Sequence, residues 1–242
     1  DRTSRGLGDV YKRQDLDIAI PGVIDGMRYT RQGQACTAGS RVYIHEKIYD
    51  KVLNGAVEKL SKLKMGNALD EKSDIGAIIS EEQLKRTLYY MDIAKKNSST
   101  KILHGGNQSK GGDYKDGFYY EPTLLSGLPV SSPVCQEEVF GPVACAIPFK
   151  SFDEVMESAN DTQFGLSAVL WTKDLSRALQ FVDEIEAGFV QVNQCVAPRA
   201  NVSYGGIKMS GLGKEYAFDS MMNHFTQSKT ILINRGKSNL DV

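Results

Sequence analysis

Segments with helical spacing alternate with short apolar runs along most of the chain, and this alternation constrains the fold more than any other feature. Apolar residues recur at helical intervals in three segments: 46–64, 81–96 and 174–187. Between them, runs rich in β-branched residues predict six strands: 42–45, 75–79, 101–103, 143–149, 168–172 and 189–193. Near-continuous apolar strands are typical of parallel sheets that helices cover on both faces. We therefore predict an α/β fold with a mostly parallel sheet and helices on both faces.

The charge balance, the apolar runs and the cysteines exclude several classes of protein. With 29 Lys and Arg against 30 Asp and Glu, the net charge of −1 argues against a nucleic-acid partner. The longest apolar stretch, 139–149, contains one glycine and two prolines and is shorter than the ~20 residues of a membrane span. The four cysteines have no CxxC spacing, so we expect neither disulfides nor a metal site, and a cytoplasmic location.

The first segment that could carry chemistry is GQACTAGSR, residues 33–41. Cys36 lies among small residues, with glycines three positions to either side, so a substrate and the backbone can approach the sulfur closely. A helix N-terminus near Cys36 would favour its thiolate. The alternative interpretation is a buried structural cysteine.

Three further segments are rich in glycine or reactive groups. Residues 136–142, QEEVFGP, could hold a polar ligand or form a solvated acidic loop. Residues 204–215, YGGIKMSGLGKE, lack the spacing of a phosphate-binding P-loop, so a tightly packed structural loop is favoured. The loop 194–202 leaves a predicted strand after Asn193, where α/β sheets place ligand crevices.

Taken together and in this order, these segments resemble the C-terminal half of the aldehyde dehydrogenase superfamily. GQACTAGSR is similar to the family's nucleophile signature, and EEVFGPV is similar to its cofactor-ribose segment. FGLSAVLWTKD, GFVQVN and YGGIKMSGLGKE also fall where the family has counterparts. The resemblance covers residues 15–234, which is nearly the whole chain after its first 14 residues.

The resemblance implies that Cys36 is the catalytic nucleophile. In the family, this sulfur forms a thiohemiacetal with the aldehyde, a hydride passes to the nicotinamide of NAD or NADP, and water hydrolyses the resulting thioester to the acid. The backbone N–H of Cys36 would help to hold the oxyanion.

The resemblance also assigns the cofactor and substrate contacts. Glu138 would bind the nicotinamide-ribose hydroxyls, Phe140 would pack near that ribose, and Gln83 with Arg86 would approach the adenine-side ribose. Six residues would line the aldehyde tunnel, with Cys195 a wall rather than a second nucleophile: Ala35, Thr37, Cys195, Val196, Pro198 and Tyr204. Asn193 would support the active-site loop.

The domain organisation follows from the same resemblance. Residues 1–14 look unlike the family and are interpreted as a remnant of sequence assembly or cloning. Residues 15–228 would form the catalytic domain, and 229–235 an added strand that joins subunits into a dimer or tetramer.

Several parts of the family's machinery have no counterpart in this sequence. These are the N-terminal cofactor-binding domain, the general-base glutamate of an ELGGK-like motif and the asparagine of the oxyanion hole. We therefore expect a catalytic-domain fragment of an NAD(P)-dependent aldehyde dehydrogenase that is inactive alone. The alternatives are a CoA-acylating semialdehyde dehydrogenase and an inactive truncated protein.

Overall fold

The computed structural model describes residues 15–233, so the predicted segment 1–14 and residues 234–235 of the predicted C-terminal strand lie outside the described residues. The helices are α1 (Leu16–Gly26), α2 (Tyr49–Leu60), α3 (Glu81–Lys96), α4 (Pro133–Gln136), α5 (Phe152–Asn160), α6 (Leu175–Glu184) and α7 (Phe218–Phe225). The strands are β1 (Arg41–His45), β2 (Lys101–His104), β3 (Gln108–Ser109), β4 (Tyr119–Tyr120), β5 (Thr123–Ser126), β6 (Val143–Phe149), β7 (Phe164–Gly165), β8 (Ser167–Leu170), β9 (Phe189–Val192) and β10 (Ile207–Lys208).

The main sheet has four strands in the order β1-β6-β5-β2. Strands β1 and β5 run parallel to β6, whereas β2 pairs with β5 in the antiparallel direction. A separate two-stranded parallel sheet is formed by β8 and β9. The prediction of an α/β fold with a mostly parallel sheet is confirmed.

Helices cover both faces of the main sheet. Successive residues of a strand point to opposite sides, so the central strands contact both layers of helices. Leu125 and Cys145 face the apolar cluster built on α3 and α4. Their neighbours Leu124 and Ala144 face the cluster built on α1 and α2. Burial on both faces explains why β6 is apolar at every position, and β5 is buried at all four of its positions.

Periodicity predicted the long amphipathic helix α3 over its full length. The Ser80 hydroxyl caps it by accepting a hydrogen bond from the Gln83 backbone N–H at 3.2 Å. The Gln83 side chain does not return to the cap as a capping box would require, and instead reaches the segment that contains Glu138.

The predicted strand 75–79 is wrong. Ile75 and Ile78 are buried but three positions apart, and each makes one isolated bridge to a distant partner. Ile79 is 79% exposed, so the segment lacks the alternation of a half-buried strand. Isoleucine content was mistaken for strand periodicity.

Helices α1, α4 and α5 were missed. Helix α1 contains Pro21 and two glycines, which disfavour a helix on propensity alone. It forms because its Ala19, Gly22 and Ile24 are buried, and because the Asp15 side chain caps its first turn.

The C-terminal part of the described chain is extended and exposed. Residues 229–233 form no strand, and Ile231, Leu232 and Ile233 are each at least 68% exposed. Their predicted role in joining subunits stays a prediction. Among the helices of residues 15–233, none combines the length and the apolar character needed to cross a membrane.

The two glycines of α1 make a matched pair for testing its packing. A Cβ on Gly22 would lie 2.1 Å from the Trp171 ring, whereas a Cβ on Gly26 has nothing within 4 Å. We expect Gly22→Ala to lower the free energy of unfolding by about 1–3 kcal/mol through overpacking. Gly26→Ala should be neutral or stabilising by up to about 1 kcal/mol. Urea unfolding measures both, and equal effects would contradict the packing.

Candidate active site

A cleft of about 590 Å³ opens between the main sheet and the β8–β9 sheet. All of β1 and all of β8 line it, and residues from α1, α5 and α6 form further walls. Six of the residues predicted from the sequence line this cleft: Ala35, Cys36, Thr37, Glu138, Phe140 and Cys195. The nucleophile signature and the cofactor-ribose segment therefore meet at one cavity, although about 100 residues separate them.

Cys36 lies in a tight turn just before β1. The Ala38 N–H donates to the Ala35 carbonyl at 2.9 Å, which puts Cys36 at the corner of the turn. No helix begins there, so a helix N-terminus is not what would activate the thiol. Within residues 15–233 the Cys36 amide donates no backbone hydrogen bond, which leaves it available to a developing oxyanion.

The other cysteines are less accessible than the exposed Cys36. Cys135 and Cys145 are buried in the core, and the hydrogen bond with Cys135, followed by burial, raises the pKa of Cys145. Cys195 is half-buried with its Sγ 3.7 Å from the Gly22 carbonyl oxygen, and burial raises its pKa. These features support Cys195 as a wall rather than a second nucleophile.

Tyr204 does not line the cleft, but its hydroxyl lies 3.1 Å from the Cys36 Sγ. Its ring therefore stands against the exposed sulfur. Val196 and Pro198 are also outside the cleft lining and are partly buried. The structure thus brings one of these three predicted tunnel residues into direct contact with the predicted nucleophile.

Helix α3 holds the backbone of the cofactor-ribose segment. The Gln83 Nε2 donates to the carbonyl oxygens of Val139 and Phe140 at 3.0 and 2.8 Å. The Arg86 Nε donates to the Glu138 carbonyl oxygen at 3.1 Å. Gln83 and Arg86, predicted to touch the cofactor, therefore position this segment. The exposed Glu138 carboxylate has no hydrogen-bond partner among residues 15–233.

Two further contacts of α3 shape the same segment, and neither had a signal in the sequence. The Tyr90 hydroxyl donates to the Glu137 carboxylate at 2.7 Å. Burial, followed by this hydrogen bond, raises the pKa of Tyr90 to about 12, so the phenol keeps its proton. The buried Thr87 packs against Gly141, where a Cβ would lie 2.4 Å from the threonine hydroxyl.

Phe140 has a positive φ of 53°, which is a strained conformation for a bulky side chain. The hydrogen bond from Gln83 to its carbonyl oxygen holds this conformation. Strain of this kind persists where the surroundings impose it, often at a ligand site.

The nucleophile loop and the cofactor-ribose segment touch through two glycines. Gly33 has φ of 64°, and a Cβ there would lie 2.2 Å from the Gly141 carbonyl oxygen. No side chain fits between these two backbones. This contact sets the separation of Cys36 from Glu138 and Phe140.

The loop after β9 is fixed by two amide side chains. Asn193, at φ 54°, exchanges hydrogen bonds with the Thr172 backbone at 2.6 and 2.8 Å. The buried Gln191 accepts a hydrogen bond from the Val196 N–H at 2.8 Å. The Arg28 guanidinium donates to the Cys195 carbonyl oxygen at 3.3 Å. Asn193 thus ties the start of the loop to Thr172, its role in supporting the active-site loop stays a prediction, and sequence reasoning missed Gln191 and Arg28.

Comparison with known proteins identifies the family. The sequence pattern of the aldehyde dehydrogenase family matches residues 9–231, which starts inside the segment 1–14 and covers nearly the whole chain. The chain belongs to the aldehyde dehydrogenase family. It is 38% identical to an aldehyde dehydrogenase of Rhodospirillum rubrum over 90% of this chain and 42% of that protein. It is also 38% identical to aldehyde dehydrogenase B of Escherichia coli, over 94% of this chain and 44% of that protein.

Solved aldehyde dehydrogenase structures share the fold. The NAD+ complex of the Bacillus cereus enzyme matches with a TM-score of 0.86 and 31% identity, over 92% of this chain and 44% of that one. A betaine aldehyde dehydrogenase of Staphylococcus aureus, in complex with NAD+, matches with a TM-score of 0.87 and 31% identity, over 95% and 46%. The chain therefore spans less than half the length of these relatives.

The aldehyde dehydrogenase signature contains two glycines that test the contact between its two motifs. Gly33→Ala places a side chain at positive φ and against a backbone carbonyl, so we expect it to lower the free energy of unfolding by at least about 2 kcal/mol. Gly39→Ala should change it by less than about 1 kcal/mol, because its nearest neighbour lies at 3.7 Å. Urea unfolding compares the two variants, and a tolerated Gly33→Ala would mean that the motifs are not in contact.

Proposed function

We propose that this chain carries the nucleophile and the nicotinamide-ribose site of an enzyme that oxidises an aldehyde to a carboxylic acid with NAD or NADP. The main support for this proposal is that the exposed Cys36, the exposed Glu138 and Phe140 line one cleft. Family membership supports this reaction, and so does the NAD+ bound to related solved structures.

The residues at the cleft suit a nicotinamide dinucleotide. An ionised carboxylate accepts hydrogen bonds from the two hydroxyls of a ribose, and the Glu138 carboxylate is exposed and unpaired among the described residues. Phe140 offers an aromatic ring, and α3 holds the backbone of both residues in place. When bound, the dinucleotide would supply a hydride acceptor.

The chemistry on the protein begins at sulfur. The Cys36 thiolate adds to the aldehyde carbon, the C–S bond forms, and the carbonyl electron pair moves onto oxygen. The Cys36 amide, which donates no backbone hydrogen bond within residues 15–233, would donate to that oxyanion. The tetrahedral carbon can then release its hydrogen as hydride, which leaves a thioester on Cys36 for water to hydrolyse.

In the proposed scheme, hydrolysis of the thioester and full stabilisation of the oxyanion need two side chains that residues 15–233 do not provide. We propose that the general-base glutamate and the oxyanion asparagine come from the half of the relatives that this chain does not span. Loss of one oxyanion donor typically costs ~10²–10³ in rate. Loss of a general base typically costs ~10²–10⁴. The isolated chain should therefore show no measurable turnover.

Assembly and location are also proposals. The exposed apolar residues Ile231, Leu232 and Ile233 suit a strand that pairs with another subunit, which supports a dimer or tetramer of the whole enzyme. Four free thiols in the described residues support a reducing, cytoplasmic compartment.

Replacing the nucleophile tests the proposed function. In the full-length enzyme, Cys36→Ala should lower aldehyde-dependent NAD or NADP reduction by at least about 10³-fold, because no covalent intermediate can form. Absorbance of the reduced nicotinamide measures the rate, and circular dichroism checks that the exposed substitution leaves the fold intact. A variant that keeps a tenth or more of the activity would refute the role. Formation of acyl-CoA in the presence of CoA would instead favour the acylating class.

A further inference from the structure

The hydroxyl that contacts the sulfur of the predicted nucleophile comes from a distant part of the chain. The Tyr204 hydroxyl lies 3.1 Å from the Cys36 Sγ across a sequence separation of 168 residues. We propose that Tyr204 donates a hydrogen bond to the Cys36 thiolate and is therefore a catalytic residue, not only an aromatic wall of the substrate tunnel. The proposal rests on the proposed function, since it concerns the same sulfur.

The Tyr204 ring is held on two sides. Phe189 of β9 meets it edge-on at a centroid distance of 5.4 Å, and Tyr216 does so at 5.8 Å. Edge-to-face packing of this kind restricts the ring and so aims its hydroxyl. A hydroxyl that is aimed before the reaction loses little conformational entropy when it binds a charge.

The backbone around Tyr204 is held as firmly as the ring. Tyr204 and Glu215 form an antiparallel bridge, with N–H to carbonyl distances of 3.0 and 2.6 Å. The Lys214 ammonium donates to the carbonyl oxygens of Gly205 and Gly206 at 2.9 and 3.0 Å. Hydrogen bonds therefore hold the glycine-rich segment and present the Tyr204 phenol to the nucleophile, although most of residues 207–213 are exposed and the predicted tight packing is not seen.

The protonation states assign the direction of the hydrogen bond. Burial, followed by the hydrogen bond with Cys36, raises the pKa of Tyr204 well above its usual value, so the phenol stays protonated. A thiolate has no proton to give, so the phenol is the donor whenever the sulfur is ionised. Charge interactions with Cys36, then with Tyr216 and Glu215, contribute less to the same rise in the pKa of Tyr204.

Other charged groups line the cleft that Cys36 lines. Arg28 lies at the end of α1 and donates to the Cys195 carbonyl oxygen, and Glu138 lines the cleft on the side of the cofactor-ribose segment. Among the described side chains, the Tyr204 hydroxyl is the one that hydrogen-bonds the Cys36 sulfur.

The hydrogen bond acts before the carbon–sulfur bond forms. It stabilises the negative charge on sulfur and holds the Sγ toward the ring of Tyr204. When sulfur adds to the aldehyde carbon, the charge passes to the former carbonyl oxygen, and the hydrogen bond to sulfur weakens. No proton leaves Tyr204 in this step, so the phenol is ready for the next cycle.

Alkylation by iodoacetamide tests this without aldehyde or cofactor. In the full-length enzyme, the rate at Cys36 is followed by peptide mass spectrometry from pH 6 to pH 10. For Tyr204→Phe we expect the pH of half-maximal rate to rise by about half to one unit, with a three- to tenfold slower reaction at neutral pH. The plateau at high pH should be unchanged or higher, because a less stabilised thiolate is more nucleophilic.

Tyr216→Phe is the matched control, because it removes a hydroxyl from the neighbouring ring and keeps the ring itself. Tyr216 is 44% exposed, and its hydroxyl makes no hydrogen bond to Cys36. Its profile should match the unmodified enzyme. A Tyr204→Phe enzyme whose alkylation rate has the same pH midpoint as the unmodified enzyme would overturn the proposal. If only its maximal rate at high pH were lower, Tyr204 would act as a wall of the substrate tunnel and not as a hydrogen-bond donor.

A second variant covers misfolding of Tyr204→Phe. With 3-fluorotyrosine at position 204 the phenol is a stronger donor, so the midpoint should fall, and a midpoint that stays or rises would overturn the proposal. These outcomes are distinguishable from a failure of the proposed function, which the activity of the Cys36→Ala enzyme and the acyl-CoA assay test separately.

Discussion

The contact between the backbones of Gly33 and Gly141 is the constraint on which the site depends. It joins the loop that carries Cys36 to the segment that carries Glu138 and Phe140, and it leaves no room for a side chain between them. A positive φ at Gly33 lets the loop turn away immediately after the contact. A side chain at position 33 would meet the Gly141 carbonyl oxygen, so this approach of the two segments requires glycine at position 33.

Helix α3 connects the same two parts by a second route. The Gln34 side-chain oxygen accepts a hydrogen bond from the Ile79 N–H at 3.1 Å, next to the residue that caps α3. One turn further along, Gln83 and Arg86 hold the carbonyl groups of the cofactor-ribose segment. The N-terminal end of α3 is therefore linked by hydrogen bonds to both sides of the cleft.

The third element of the site comes from the glycine-rich segment near the C-terminal end. Lys214 binds two carbonyl groups of its own loop, and this intraloop clamp explains the need for glycines there. A structural role for the loop and a chemical role for Tyr204 are therefore compatible: the clamp holds the backbone, and the backbone presents the phenol to the sulfur.

The sequence by itself determined the fold class, the full length of α3 and the segments that meet at the cleft, because apolar periodicity and motif order are local properties. It could not reveal α1, which contains a proline and forms through burial, nor the irregular segment around Ile78. Only the tertiary structure decided that Tyr204 contacts Cys36, and that Gln83 donates hydrogen bonds to the backbone of the cofactor-ribose segment. Such contacts join residues far apart in the chain, and a local pattern shows that a face is apolar without showing which distant group it meets.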